Sequence, residues 1–257
     1  MTYEHINPDR YLDSAGVPWE GRHFEPNPNA NDDGSADPKL IQAIANFHDG
    51  IGSIEQVFEA LSKARVLIPL VANLGESSEG AHGQKVDKSA ELSIVSVSTP
   101  DGQAGIPVFS SVSTMRTWRN EARPVPSDMP RVALAAASEN ATRVILDPGS
   151  PTEFVLRRPA IAAMAQQFTW MPPHANPSVK AAIAQVLEAE PSVTNWAIYT
   201  EDKFSRLQAP EVTLLFKLAE GLQQSQIDEL VVRVTKQWGE IKTIADNVDS
   251  LELKLTK

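Results

Sequence analysis

The chain has 257 residues, 42% of them hydrophobic, with 33 acidic side chains against 23 basic ones and a formal charge of −10 at pH 7. That length supports one large domain or two small ones with a proper core, and the negative balance repels nucleic-acid phosphates and anionic lipid at long range. There is no cysteine, which excludes disulfides, thiolate metal sites and a cysteine nucleophile and fits a reducing compartment.

In chain order, residues 1–37 read as an extended arm, because Pro8, Pro18, Pro26 and Pro28 among many Asn, Asp and Gly leave no room for a regular element. Its stretch from Val17 to Phe24 is aromatic and basic, unlike a merely solvated tail, and marks Trp19, Arg22 and Phe24 as candidate partner contacts. Leu40, Ile41 and Ile44 recur at helical spacing, Gly50 and Gly52 break the pattern, and Ser53 restarts it through Leu61. Val66 to Val71 then reads as a buried strand. The longest apolar run, Val66 to Leu74, is interrupted by Pro69 and Asn73 and is far too short for a bilayer.

Residues 75–88 have loop composition, Leu92 to Val97 continues as a strand, and Pro100-Asp101-Gly102 turns the chain toward Gly105. A third strand over Ile106–Phe109 runs directly into a helix ending at Trp118, with Ser111 or Ser113 as its cap. Pro124, Pro126 and Pro130 predict a loop, and Val132–Ser138 a helix. Arg143–Leu146 follows as a short buried strand, Asp147-Pro-Gly-Ser as a type II turn, Phe154–Leu156 as a returning strand and Pro159–Met164 as a helix.

The proline-rich segment 167–177 has linker composition, so the predicted organisation is an arm (1–37), a first domain (38–166), a linker and a second domain (178–257). In the second domain Ser178 and Ser225 open amphipathic helices, Gly239 is placed to kink the latter, and Val193–Tyr199, Val212–Leu218 and Leu251–Thr256 read as strands. The expected class is α+β, two mixed domains each with a mixed or antiparallel sheet covered by helices.

No stretch carries a reaction motif. Asn29-x-Asn31-x-Asp33-Gly34 imitates a calcium loop but puts Leu40 where the bidentate carboxylate belongs. The five histidines offer no pair at helical ligand spacing, so no metal site is expected. Ser110 and Ser111 stand at a strand-to-helix junction without the glycines of a nucleophile elbow and read as helix caps. His48 beside Asp49 reads as a charge partner at a helix end, and Glu201-Asp202 as solvated loop charge. Arg116, Trp118 and Arg119 form a second candidate contact surface.

Several strings in fixed order resemble a known family. Leu61-Ser-Lys-Ala-Arg-Val-Leu-Ile-Pro, Gly105-Ile-Pro-Val-Phe-Ser-Ser, Thr117-Trp118, Leu146-Asp-Pro-Gly and Phe154-Val-Leu are similar to the N-terminal domain of the SseB family. Asp13-Ser-Ala-Gly-Val-Pro-Trp-Glu-Gly-Arg and Asp32-Asp-Gly-Ser-Ala-Asp-Pro resemble its actinobacterial branch, and the second domain is similar to the family's C-terminal domain more weakly. The resemblance implies a two-domain mixed α and β protein, linked by name to serine sensitivity, with no established activity or cofactor. A membrane-inserting translocon component shares the name, but this chain lacks the long apolar segments of that role. The expectation is a non-enzymatic cytoplasmic interaction or regulatory protein that meets a protein partner and binds neither nucleic acid nor membrane. The alternatives are a small-ligand binder or hydrolase using a crevice between the domains, and a homo-oligomer built on an exposed strand edge.

Overall fold

The computed structural model describes residues 32–73 and 91–256. Trp19, Arg22, Phe24 and the first half of the calcium-like string lie outside them. Leu40 is fully buried and so serves packing.

Helix α1 (Pro38–His48) starts where the Asp37 carboxylate accepts from the Lys39 N–H and Pro38 fills the first turn. Helix α2 (Ile54–Lys63) starts at Ser53, whose N–H donates to the Gln56 side chain. Together they bury Leu40, Ile44, Val57, Phe58 and Leu61, as their spacing predicts. Strand β1 (Arg65–Asn73) is the middle of a three-stranded antiparallel sheet with β2 (Glu91–Ile94) and β5 (Arg123–Asp128).

The presence of β5 corrects the loop expected around Pro124 and Pro126. Prolines two residues apart on an edge strand can share the phase whose N–H points away from the ladder, so neither removes a sheet bond. Pro69 in β1 falls between the bridge Leu67 makes to Phe109 and the β2 pairing that begins at Leu70.

A second sheet has the order β3-β4-β6-β7, from β3 (Val97–Ser98), β4 (Ala104–Val108), β6 (Arg143–Leu146) and β7 (Phe154–Arg157). Only β4 and β6 are parallel. Their crossover carries α3 (Val112–Trp118), β5 and α4 (Met129–Ser138), and α5 (Arg158–Ala165) follows β7. Every residue of β6 and β7 is buried, which explains why both read as continuous apolar runs rather than alternating ones. Leu146, Phe154, Ile106 and Val108 pack with α1, α2, α4 and α5 in one core. Leu67, Phe109 and Met115 form a small satellite beside it.

After α5 the chain builds a second core on the sheet β10-β9-β8, from α6 (Pro177–Leu187), β8 (Val193–Tyr199), β9 (Val212–Leu218), α7 (Gln224–Glu240), α8 (Lys242–Asn247) and β10 (Leu251–Thr256). Strand β9 runs parallel to β10 and antiparallel to β8. The fold is α+β with open sheets, and residues from Gly34 onward form one compact unit containing both cores.

Three local expectations change. Asn176, not Ser178, caps α6, with Pro177 in its first turn. Helix α7 starts after Gln223, not at Ser225, and passes through Gly239 to stop at Ile241, whose extended backbone makes the break.

The glycines give opposite predictions. A Cβ at Gly105 on β4 would run into Ile145 and crowd Arg143 and Thr99, so Gly105→Ala is expected to lower stability by about 1–3 kcal/mol. Gly239 sits in a helix with open space around it, so Gly239→Ala is expected to raise stability by about 0.5–1 kcal/mol. Urea unfolding of both variants checks the two signs.

Candidate functional site

Strands β6 and β7 end with arginines directly opposite each other, Arg143 against Arg157, a pairing of like charges that destabilises a sheet unless it is compensated. Here carboxylates compensate it. Arg143 forms a two-bond fork with Asp249 (2.9 and 2.7 Å) and donates twice to Asp101 Oδ2 (2.9 and 2.7 Å). Arg157 donates to Asp202 at 2.7 Å and lies 3.6 Å from Asp249 Oδ2. Asp249 precedes β10 and Asp202 follows β8, so both bring charge from the second core to the sheet of the first. Burial alone raises the Asp101 carboxyl, but hydrogen bonds from Thr99 and Arg143 and the Arg143 charge outweigh it and hold it below its usual range.

The loop 200–210 is wound around Asp202. Its carboxylate accepts from the N–H groups of Arg206, Leu207 and Gln208 at 3.0–3.2 Å, with Ser205 and Leu207 at positive φ (51° and 60°). A leucine there is strained, and the hydrogen bonds offset that strain. Ser205 then extends the β7 edge: its carbonyl accepts from Val155 N–H (2.7 Å) and its hydroxyl donates to Val155 O (2.9 Å). Asp202 is 5% exposed. The expectation of solvated loop charge is therefore corrected: it is a buried ligand of Arg157 and of its own loop.

Between β7, this loop and the 170–174 segment lies a crevice of about 220 Å³. Phe47, Phe154 and Trp170 give it aromatic walls, and Glu211, His174 and Lys203 are polar groups that line it. Glu211 is buried. Its Oε2 accepts from Asp249 N–H at 2.7 Å, while its Oε1 has no hydrogen-bond partner. Burial pushes its carboxyl up to about 7, against the Asp249 N–H and the Arg157 and Arg143 charges, with the Asp249 charge adding to the rise. Burial also lowers the His174 pKa, with Glu55 opposing and Lys180 reinforcing the change.

The serine junction is a latch. Ser110 is buried, donating its N–H and hydroxyl to Asp147 at 2.8 and 2.7 Å, and the Thr152 hydroxyl joins the same carboxylate. Burial raises the Asp147 carboxyl against those bonds. Ser110 is thus no helix cap; Ser111 caps α3 by accepting from Thr114 N–H. His48 packs edge-on against Phe204 at 5.4 Å, and burial, then the Arg206 charge, lowers its pKa. The Phe204 backbone and the Asp49 charge oppose that shift, so the ring packs on Phe204 while still feeling its acidic neighbour.

On α3 the Trp118 ring lies 5.3 Å from Phe109, and the Arg119 guanidinium sits over it at 5.1 Å. Arg116 is exposed. A separate groove runs beside α2, α4 and α5, where Leu134, Phe168 and Met171 are 56%, 63% and 45% exposed. Among the described residues no cluster of three or more His, Asp or Glu could hold a metal ion, and no helix is long and apolar enough to cross a membrane.

The Glu211 pKa has a sign opposite to that of most native carboxylates. A folded pKa raised from 4.5 to about 7 contributes stability that is fully present below pH 4.5 and lost as pH rises through 7. Glu211→Gln is therefore expected to match the parent at acid pH and to exceed it by up to about 3 kcal/mol above pH 8. Parallel melting temperature profiles from pH 5 to 8.5 would reject this account.

Residues 39–163 match the SseB protein N-terminal domain. No curated protein matches the chain. The matched stretch runs from α1 into α5, taking in both arginine-bearing strands and the Ser110–Asp147 latch, and it ends before Asp202, Glu211 and Asp249. That stretch, just under half of the chain, is an SseB protein N-terminal domain.

Proposed function

We propose that the protein is a non-enzymatic interaction module of the cytoplasm that docks a protein partner on the groove beside α4. The observation that carries this reading is the exposure of three large apolar side chains, Leu134, Phe168 and Met171, along one groove floored in part by Phe58 and Trp170. Contiguous exposed apolar surface of this kind marks contact sites on otherwise soluble folds. Ser110, the serine at the junction of β4 and α3, is spent inside the latch, with no histidine among its partners. The arm residues Trp19, Arg22 and Phe24, and Arg116 with the Trp118–Arg119 stack, are proposed as secondary contacts.

The test compares the parent with a variant carrying Leu134→Asp, Phe168→Asp and Met171→Asp, and with an arm-deleted chain. The three substituted side chains are exposed, so the unfolding midpoint is expected to stay close to the parent's. In-cell cross-linking with mass spectrometry is expected to lose partner links at the groove in the triple variant. An unchanged partner set would overturn the reading.

Self-association is the second reading, favoured by β10, an edge strand with Leu255 40% exposed. It predicts a sedimentation mass above 28 kDa that rises with concentration, and a strict monomer would reject it.

A further inference from the structure

The crevice beside Glu211 shares Glu55 and Trp170 with the partner groove but is otherwise lined by different residues, and it is short of positive charge. Three carboxyl groups line it, on Glu55, Asp202 and Glu211, against two cations, Arg157 and Lys203. Widening the view to the groups around Glu211 and His174 adds Arg143 on β6 and Lys180 on α6, and Asp101 and Asp249, which leaves acid in excess by one. Neither cation bonds the Glu211 carboxylate. Arg157 already donates to Asp202, Ser250 and Ala209 O, and Lys203 is exposed, where solvent screens it.

Glu211, at 8% residue exposure, lines this space beside the aromatic rings, and its Oε1 accepts no hydrogen bond among the described residues. Phe47 and Phe154 stand edge to face at 5.9 Å, and Trp170 closes the side on Phe58 at 5.4 Å. Aromatic faces attract cations that have left water, and a buried carboxylate needs a positive partner. The space, at about 30 Å³ per water, holds roughly seven water-sized groups.

We propose that this crevice binds a small organic ammonium ion with an apolar or aromatic body, its cationic nitrogen on Glu211 Oε1 and its body among Phe47, Phe154 and Trp170. The ligand supplies the charge that the network lacks, and it favours the ionised carboxylate. Binding near neutral pH therefore releases a proton from Glu211. The elevated Glu211 pKa of about 7 sets the window: affinity rises about tenfold from pH 6 to pH 8, as the ionised fraction does. His174 is the other titrating group in the crevice, and its depressed pKa keeps it neutral through the upper part of that window.

Isothermal titration calorimetry on the full chain tests this with three probes of one shape: benzylammonium, benzyl alcohol and benzoate. Benzylammonium is expected to bind at pH 8 at least tenfold more tightly than the other two, with a heat that depends on the buffer's ionisation enthalpy. Glu211→Gln is expected to lose that preference and flatten the pH profile, His174→Gln to keep the pH step, and Phe47→Leu to weaken binding severalfold. Absence of benzylammonium binding, tighter benzoate binding, or an unchanged affinity in Glu211→Gln would each overturn the proposal. Leu134, Phe168 and Met171 do not line the crevice, so Glu211→Gln and the groove variant test the two readings through different residues.

Discussion

Two arginines facing each other across the last strand pair of the first sheet are the constraint around which the rest of the molecule is arranged. Neither can remain buried alone, because an uncompensated charge in a packed interior costs several kcal/mol. The chain answers with carboxylates from three places: the turn before β4, the loop after β8 and the approach to β10. Two of the three belong to the second core. The two cores are therefore joined by directional charge-assisted bonds, which fix angle and register in a way that apolar contact alone does not.

The same network explains why the crevice has its electrostatic character. Arg158 adds bonds to the carbonyls of Ala245 and Val248, and Arg206 to those of Glu153 and Pro151, so arginines repeatedly tie one core to backbone of the other. Where the guanidinium groups run out, Glu211 is left beside space rather than beside a partner. Its elevated pKa is the local expression of burial, which outweighs the Asp249 N–H and the Arg157 and Arg143 charges.

Much of the fold was legible because local signals agreed with it. Helical spacing at Leu40 and Ile44, the break at Gly50 and the turn at Asp147 each matched the tertiary answer. Strand β5 was hidden because Pro124 and Pro126 read as breakers, and only the knowledge that they lie on an edge removes the objection. The candidate site was hidden for a different reason. Asp202 and Glu211 look like ordinary surface acids, since nothing in their neighbours says that Arg157, some fifty residues earlier, will be carried to them. One usable signal existed: Arg143 and Arg157 sit at the ends of runs that are otherwise wholly apolar, and a charge there must find a partner.

The loop wound around Asp202 carries a consequence for where this chain can be divided. The recognised domain stops at residue 163, yet the edge of its sheet at Val155 is completed by Ser205 and its arginines are neutralised by Asp202 and Asp249. A fragment cut at the sequence boundary would have a bare strand edge, Arg157 without Asp202, Ser250 and the Ala209 carbonyl, and Arg143 left with Asp101 but without Asp249. The unit that can be inherited, swapped or expressed alone is therefore larger than the unit that sequence comparison recognises.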